Sequence, residues 1–186
     1  MRRIVLSGFF LVAAAACAPP AVEHDGGGAA GIDPESAQGW ALDDHVVTQD
    51  EYRAAVTGFI SCMAAAGYQS TEPVVSPVDG ITLLYDITPE GDPKIWNEKI
   101  ETCNLLHLSH IEPAYLESRQ QIMDESLREA TITCLDNQGI GMTGRERVVA
   151  DFAAAAGERT QTVMECVTDS ARKLFPELPD ELTIRW

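Results

Sequence analysis

Two segments of this chain end alike, and that likeness constrains the fold more than anything else in the sequence. Cys62-Met63-Ala64-Ala65-Ala66-Gly67-Tyr68 and Cys134-Leu135-Asp136-Asn137-Gln138-Gly139-Ile140 each place a cysteine five residues before a glycine, with an apolar residue straight after it. Each cysteine sits near the end of a stretch with apolar residues at helical spacing. A glycine there suits the left-handed position that ends a helix, and the apolar residue behind it can fold back on the last turn. A further cysteine follows each copy, Cys103 and then Cys166. Superposing Cys62 on Cys134 sets Ile60 on Ile132, Met63 on Leu135, Gly67 on Gly139 and Tyr68 on Ile140. The chain reads as a duplicated unit of helix, cysteine, glycine stop, insert, helix and cysteine.

The N-terminus reads as an export segment. Met1-Arg2-Arg3 precedes an apolar run from Ile4 to Ala16, which is too short to span a bilayer at ~20 residues. Residues 1–16 are therefore expected to be a signal peptide. Ala14-Ala15-Ala16-Cys17 resembles a bacterial lipobox, in which the cysteine is lipidated and becomes the mature N-terminus. Ala14 stands where that motif usually has leucine, and an ordinary secretory cut after Ala16 would expose the same Cys17 without lipid. Cysteine parity favours lipid: of five cysteines, lipidation of one leaves four to pair. Residues 17–39 follow as a lipidated cysteine and a flexible tether. Pro19-Pro20 and Gly26-Gly27-Gly28 lie in it with few large apolar residues, a composition that cannot offset its ordering entropy. Its mean reach is roughly 25 Å.

Residues 40–186 are expected to form a mainly α-helical domain with minor β structure. Repeat one spans about 48–108 and repeat two about 112–174, the two sharing one core, before a short tail over 175–186. Thr48-Gln49-Asp50-Glu51 is a capping box opening a helix with Tyr52, Val56, Phe59, Ile60 and Met63 on its buried stripe. Val74-Val75 and Ile81 to Ile87 flank Pro77-Val78-Asp79-Gly80, which predicts a short β-hairpin in the first repeat. Asp92-Pro93 starts the next helix, with Ile95, Trp96, Ile100, Cys103 and Leu106 inward. One kinked helix is expected from Glu112 to Gln138, burying Leu116, Ile122, Met123 and Leu127. Thr143-Gly144-Arg145-Glu146 looks like a second capping box before Val148, Val149 and Phe152. A last helix runs from Glu158 to about Leu174, and Leu182 to Trp186 could add a short strand.

Cys17 after an export segment, the glycine-rich tether and two helix–Cys-x4-Gly units with later cysteines resemble small, mostly acidic exported lipoproteins of actinobacteria. The resemblance implies an extracytoplasmic, membrane-anchored location, and it attaches no activity. An exported chain favours disulfides. The duplication favours Cys62–Cys103 and Cys134–Cys166 among the three possible pairings, since a repeated unit should carry its own bridge.

Thirteen Lys and Arg against 29 Asp and Glu give a net charge of −16. That excludes nucleic acid as a partner, because phosphate recognition needs a basic patch. It leaves the membrane, through the lipid, and a cationic or envelope protein as partners. Cys103, His107 and His110 have zinc-compatible spacing, but Cys103 is claimed by a disulfide and only Glu112 is near as a fourth ligand. The bland alternative has His107 packed in an apolar stretch and His110 at a helix end. No metal and no cofactor are expected. Cys-x-x-Cys, Gly-x-Ser-x-Gly and a phosphate loop are absent from the sequence. Gly139-Ile140-Gly141-Met142-Thr143-Gly144 follows a helix rather than a strand, which fails the dinucleotide motif. Carboxylates at Asp43-Asp44, Asp50-Glu51, Glu90 and Asp92, Asp124-Glu125, Glu177 and Asp180-Glu181 could hide a glycosidase pair, though most suit helix starts or solvated faces. A binding or interaction module ranks first, a structural or accessory envelope component second and a hydrolase third.

Replacing Cys17 by serine should leave the precursor uncut or release the protein from membranes. A C17S protein that is cleaved normally and still sediments with membranes would overturn lipid attachment.

Overall fold

Asp33 and Pro34 open the first described helix. The computed structural model describes residues 31–185; the signal segment, Cys17 and the first part of the tether lie outside the described residues. Helix α1, Pro34–Leu42, begins with proline in its first turn behind Asp33, the same start signal as Asp92-Pro93. Helical structure thus extends to residues before 40, inside the stretch read as tether. The sequence signal for it was present at Asp33-Pro34. Ala41 and Leu42 pack α1 into the first apolar cluster, and one polar side chain bonds it to the rest.

Gln38 is fully buried and bonds at both ends of its amide. Its Nε2 donates to Leu105 O and Ser109 Oγ, both at 2.8 Å. Its Oε1 accepts from the amides of His110 at 2.9 Å and Ile111 at 3.0 Å. Those groups lie at the junction of α3, Pro93–His107, and α4, Ile111–Glu117, where helix ends leave carbonyls and amides without helical partners.

Helix α2, Gln49–Ala65, opens on the expected capping box: the Glu51 amide donates to Thr48 Oγ1, and the Thr48 amide donates to Glu51 Oε2 at 2.7 Å. Its end and that of α5, Glu125–Asn137, are built identically. Gly67 and Gly139 take φ of +95° and +71°. The Tyr68 amide donates to Met63 O, and the Ile140 amide to Leu135 O. The Gly67 and Gly139 amides close the inner bonds to Ala64 O and Asp136 O, completing a Schellman motif in each copy. Both disulfides are as read from the duplication. Cys62–Cys103 joins α2 to α3 and Cys134–Cys166 joins α5 to α7, Thr160–Leu174, each with a Cα–Cα distance of 5.7 Å. Closing loops of 41 and 32 residues is worth about 4 kcal/mol each in the chain-entropy model.

The mainly helical class with a two-stranded hairpin holds, while several details differ. The buried apolar side chains gather in two clusters, where one shared core was expected. The first is built on Tyr52, Val56, Met63 and Cys103; the second on Leu127, Leu135, Phe152 and Val167. The expected helix over 112–138 is two helices, and α4 packs in the first cluster through Ile111, Tyr115 and Leu116. Ile122 is exposed rather than buried. Ser118 to Gln121 contain neither glycine nor proline, so no local signal marks this break. Its cause is tertiary: the amides of Ile122 and Asp124 donate to Asp79 O and Pro77 O, at 2.9 and 2.8 Å.

Those carbonyls belong to the turn of the hairpin, in which β1, Val74–Val75, pairs antiparallel with β2, Leu83–Leu84. Glu146 does accept from Thr143, at 3.0 Å from its amide and 2.8 Å from its hydroxyl. Yet it braces a loop, since α6 starts only at Val149. There the Asp151 carboxylate accepts from the amides of Arg147 and Val148. A 3-10 turn at Gly157–Arg159 leads into α7. Among the described residues the tail forms no strand; Leu182 and Ile184 pack against the second cluster. Ile95, read as inward, is exposed. No described helix is long and apolar enough to cross a membrane.

Gln38→Ala should cost about 3 kcal/mol, because it strands buried amides and a carbonyl at the α3–α4 junction at roughly 1–3 kcal/mol per group. Denaturant unfolding of the mature chain measures it. A loss below 1 kcal/mol would mean that α1 is not held by this side chain.

Candidate functional site

The sequence-derived candidates are dispersed. Cys103 is disulfide-bonded to Cys62. His107 lies against α2: a Cβ on Gly58 would fall 2.6 Å from its Nδ1. His110 is exposed at the start of α4 and makes no side-chain capping bond. Among the described residues no three His, Cys, Asp or Glu side chains come together as a metal site. Cys17 lies outside the described residues. Asp50, Glu51, Asp92, Asp124 and Glu125 stand at helix starts, where negative charge meets the positive end of the helix dipole. Asp180 and Glu181 do reach a concave surface.

That surface is a cleft of about 1020 Å³ between the hairpin, α3, α4 and the tail. One wall is the hairpin's second strand and its continuation, with Leu84, Tyr85, Asp86 and Ile87. The opposite wall is α3, with Trp96 and Ile100. Glu112 and Leu116 come from α4, and Asp180, Glu181, Thr183 and Arg185 from the tail. The tail reaches this wall because the Asp180 amide donates to Asp86 Oδ2 at 3.2 Å and the Arg172 guanidinium donates to Asp180 O. A second hollow of about 700 Å³, between Gln120–Ile122 and Arg147–Asp151, contains no aromatic side chain. Its Asp151 carboxylate is occupied in capping α6.

Glu112 is the residue the rest of the cleft turns on. Its Oε1 accepts from the buried phenol of Tyr52 at 2.9 Å. The same phenol oxygen accepts from the Leu83 amide at 3.2 Å, and the ring stacks on Tyr115 with centroids 4.5 Å apart. Tyr52 on α2 thereby locks the hairpin and α4 to each other. Trp96 meets Tyr68 edge-on at 4.6 Å, and Tyr85 leans on Phe59 at 6.0 Å, so both cleft aromatics are held by packing. Arg185 Nη1 is buried with no hydrogen-bond partner among the described residues.

The electrostatics follow from this placement. Burial pushes the Tyr52 and Tyr85 phenols well above their usual range, and the negative charge of Glu112 pushes the same way. Burial against α2 lowers the pKa of His107 below its usual 6.5.

Sequence reasoning found Asp180 and Glu181 as carboxylates, Trp96 as a core residue and Glu112 only as a distant metal ligand. It did not join them, because the cleft draws on segments far apart in the chain, from Thr71 to Arg185. The one local hint was Tyr85-Asp86, a polar and aromatic pair at the end of an apolar strand. Comparison with family models, with curated proteins and with solved structures found no match.

Unfolded phenols ionise near pH 10.0, whereas buried Tyr52 and half-buried Tyr85 keep their protons above it. The folded state then binds more protons than the unfolded chain, so stability should fall as pH rises beyond that value. At the acid end His107 acts in the other sense: its contribution is present above 6.5 and lost as pH falls through its lowered folded value. Ultraviolet titration should show at least two of the four tyrosines ionising only when the protein unfolds. Tyr85→Phe should remove one of those late steps. Four tyrosines titrating together in the native protein would refute this picture.

Proposed function

We propose that the mature protein is a lipid-anchored extracytoplasmic binding module, attached through Cys17, whose cleft holds its ligand. The observation that carries this reading is the cleft itself: Tyr85, Trp96 and aliphatic side chains alternate with an equal share of polar ones, on a frame tied by disulfides. Ligand sites are commonly concave, with placed polar groups that orient what binds. The volume suits a ligand of drug-like size. The export segment supports the extracytoplasmic location, and the disulfides are compatible with it. A tether between lipid and domain would let the cleft face away from the headgroups.

Hydrolysis is the second reading, since a concave site with several carboxylates is where an acid and base pair would sit. Two of those carboxylates argue for binding instead. Glu112 holds the Tyr52 phenol and Asp86 holds the tail amide, so each already performs a positioning task.

A small-fragment screen by nuclear magnetic resonance on the mature chain, made soluble by Cys17→Ser, tests the proposal. Aromatic fragments should shift the backbone amides of Tyr85, Ile87, Trp96 and Thr183 together and saturably, and Trp96→Ala should weaken them about tenfold or more. Fragments that cluster elsewhere, or none that bind, would defeat the cleft as the site.

A further inference from the structure

We infer that the cleft takes an extended peptide, which adds as a strand to the free edge of β2 and sets one of its backbone carbonyls against Arg185. This rests on the cleft being a binding site and names the class of ligand.

The bonds of β2 and its continuation fix which edge is free. A strand turns the amide and carbonyl of successive residues to opposite edges. Toward β1 and the segment before it, Thr82 O accepts from the Ser76 amide at 2.7 Å and Leu84 lies opposite Val74. Further along, Asp86 O accepts from the Thr71 amide at 3.0 Å, and the Thr88 amide donates to Gln69 O at 2.9 Å. Leu83, Tyr85 and Ile87, the residues between, therefore direct their backbone groups to the other edge. The Leu83 amide shows it, since it donates to the Tyr52 phenol and not to β1. Leu83 O and the amides and carbonyls of Tyr85 and Ile87 make no hydrogen bond to any described residue.

That edge borders the cleft. Every residue from Thr82 to Pro89 lines it, whereas a sheet face would contribute only every second one. The side chains of Leu83, Tyr85 and Ile87 pack on the first cluster, so it is their backbone that is left for a ligand. Amides and carbonyls alternating at strand spacing match the backbone of another extended chain, which is how a free edge recruits a peptide. From Leu83 to Ile87 the edge runs roughly 13 Å at ~3.3 Å per residue. A second copy of this chain is the poorer occupant. The edge is faced by α3, α4 and the tail, so a single strand can enter where the sheet of another copy cannot.

Arg185 is the independent sign that an acceptor is due in the cleft. It lines the cleft, and its Nη1 is buried with no hydrogen-bond partner among the described residues. The ion pairs among those residues, Lys94–Glu98 and Arg128–Glu125, do not include it. A buried donor without an acceptor is costly, and a ligand oxygen would remove that cost. Asp86, Glu112, Asp180 and Glu181 line the same cleft, so their field favours a neutral peptide carbonyl over an anion.

The test titrates a capped pentapeptide of alternating threonine and valine into the mature Cys17→Ser chain and reads hydrogen exchange residue by residue. In the free protein the Tyr85 and Ile87 amides should exchange faster than the bonded amides of Leu83 and Thr88. Peptide at about ten times its Kd should slow Tyr85 and Ile87 about tenfold and leave Leu83 and Thr88 unchanged. Methylating the peptide's own amide nitrogens at alternate positions blocks one edge of the incoming strand and leaves the protein untouched. One of the two methylation patterns should abolish the protection and the other should keep it. Arg185→Met should weaken the peptide about tenfold; unchanged binding would overturn the contact with Arg185. Both methylated peptides binding as well as the parent would overturn strand addition. Protection of Tyr85 and Ile87 without peptide, growing with protein concentration, would put a second copy on the edge and overturn the peptide. Aromatic fragments that bind the cleft where the peptide does not would also overturn it and leave the cleft as a binding site. If neither fragments nor peptide perturb the cleft, the binding module itself fails.

Discussion

The docking of one hairpin turn onto an extended segment holds the two halves of the molecule together. Pro77 and Asp79 offer their carbonyls to the amides of Asp124 and Ile122, and Gly80 lets the backbones close: a Cβ there would lie 2.8 Å from Ile122 O. The turn itself is fastened by Asp79, a buried carboxylate that accepts from the amides of Ile81 and Thr82, at 3.0 and 2.9 Å. Val78 at its tip is buried in the second cluster, while Leu83 at its base is buried in the first. Several features follow from this contact. The chain after α4 must leave the helix to make it. That exit separates α4 from α5 and assigns them to different clusters. The hairpin then lies across the first unit and leaves a gap against α3 and α4, which becomes the cleft.

Within each half the physics is local and repeated. A helix ends on a glycine in the left-handed region, a disulfide ties it to a later helix, and the residue after the glycine returns to the core. Two small clusters each bury less apolar surface than one large core would, and small cores depend on covalent ties. Disulfides worth about 4 kcal/mol each in the chain-entropy model are comparable with the net stability of a typical domain, ~5–15 kcal/mol. What differs between the halves is the insert. The first unit holds the hairpin and with it the cleft wall. The second holds a loop braced by Glu146 and the short helix α6. The duplicated frame thus carries one specialised insert, which puts the cleft wall on irregular backbone held by rigid elements.

The acidity of the chain has two parts. Carboxylates at helix starts and on exposed faces keep the domain soluble and self-repelling. Glu112 stands in the first turn of α4 and also lines the cleft. Its Oε1 accepts from the Tyr52 phenol, and its charge raises the pKa of buried Tyr52 and half-buried Tyr85.

The sequence by itself determined the helical class, the capping box at Thr48, the glycine stops at Gly67 and Gly139, the hairpin and both disulfide pairs. Each depends on residues close in the chain or on the symmetry of a repeat, so the pattern is visible without a fold. Helix α1 was legible too, in Asp33-Pro34, although the low apolar content around it read as tether; the deciding bonds from Gln38 reach across to the α3–α4 junction. Only the tertiary structure decided the break after α4, the division into two cores and the cleft. The break has no glycine or proline because distant carbonyls, at Pro77 and Asp79, replace the helical partners of Ile122 and Asp124. The cleft was invisible for the same reason. Tyr85, Trp96, Glu112 and Glu181 carry no mutual spacing, and they meet only once the hairpin docks and the tail amide of Asp180 finds Asp86.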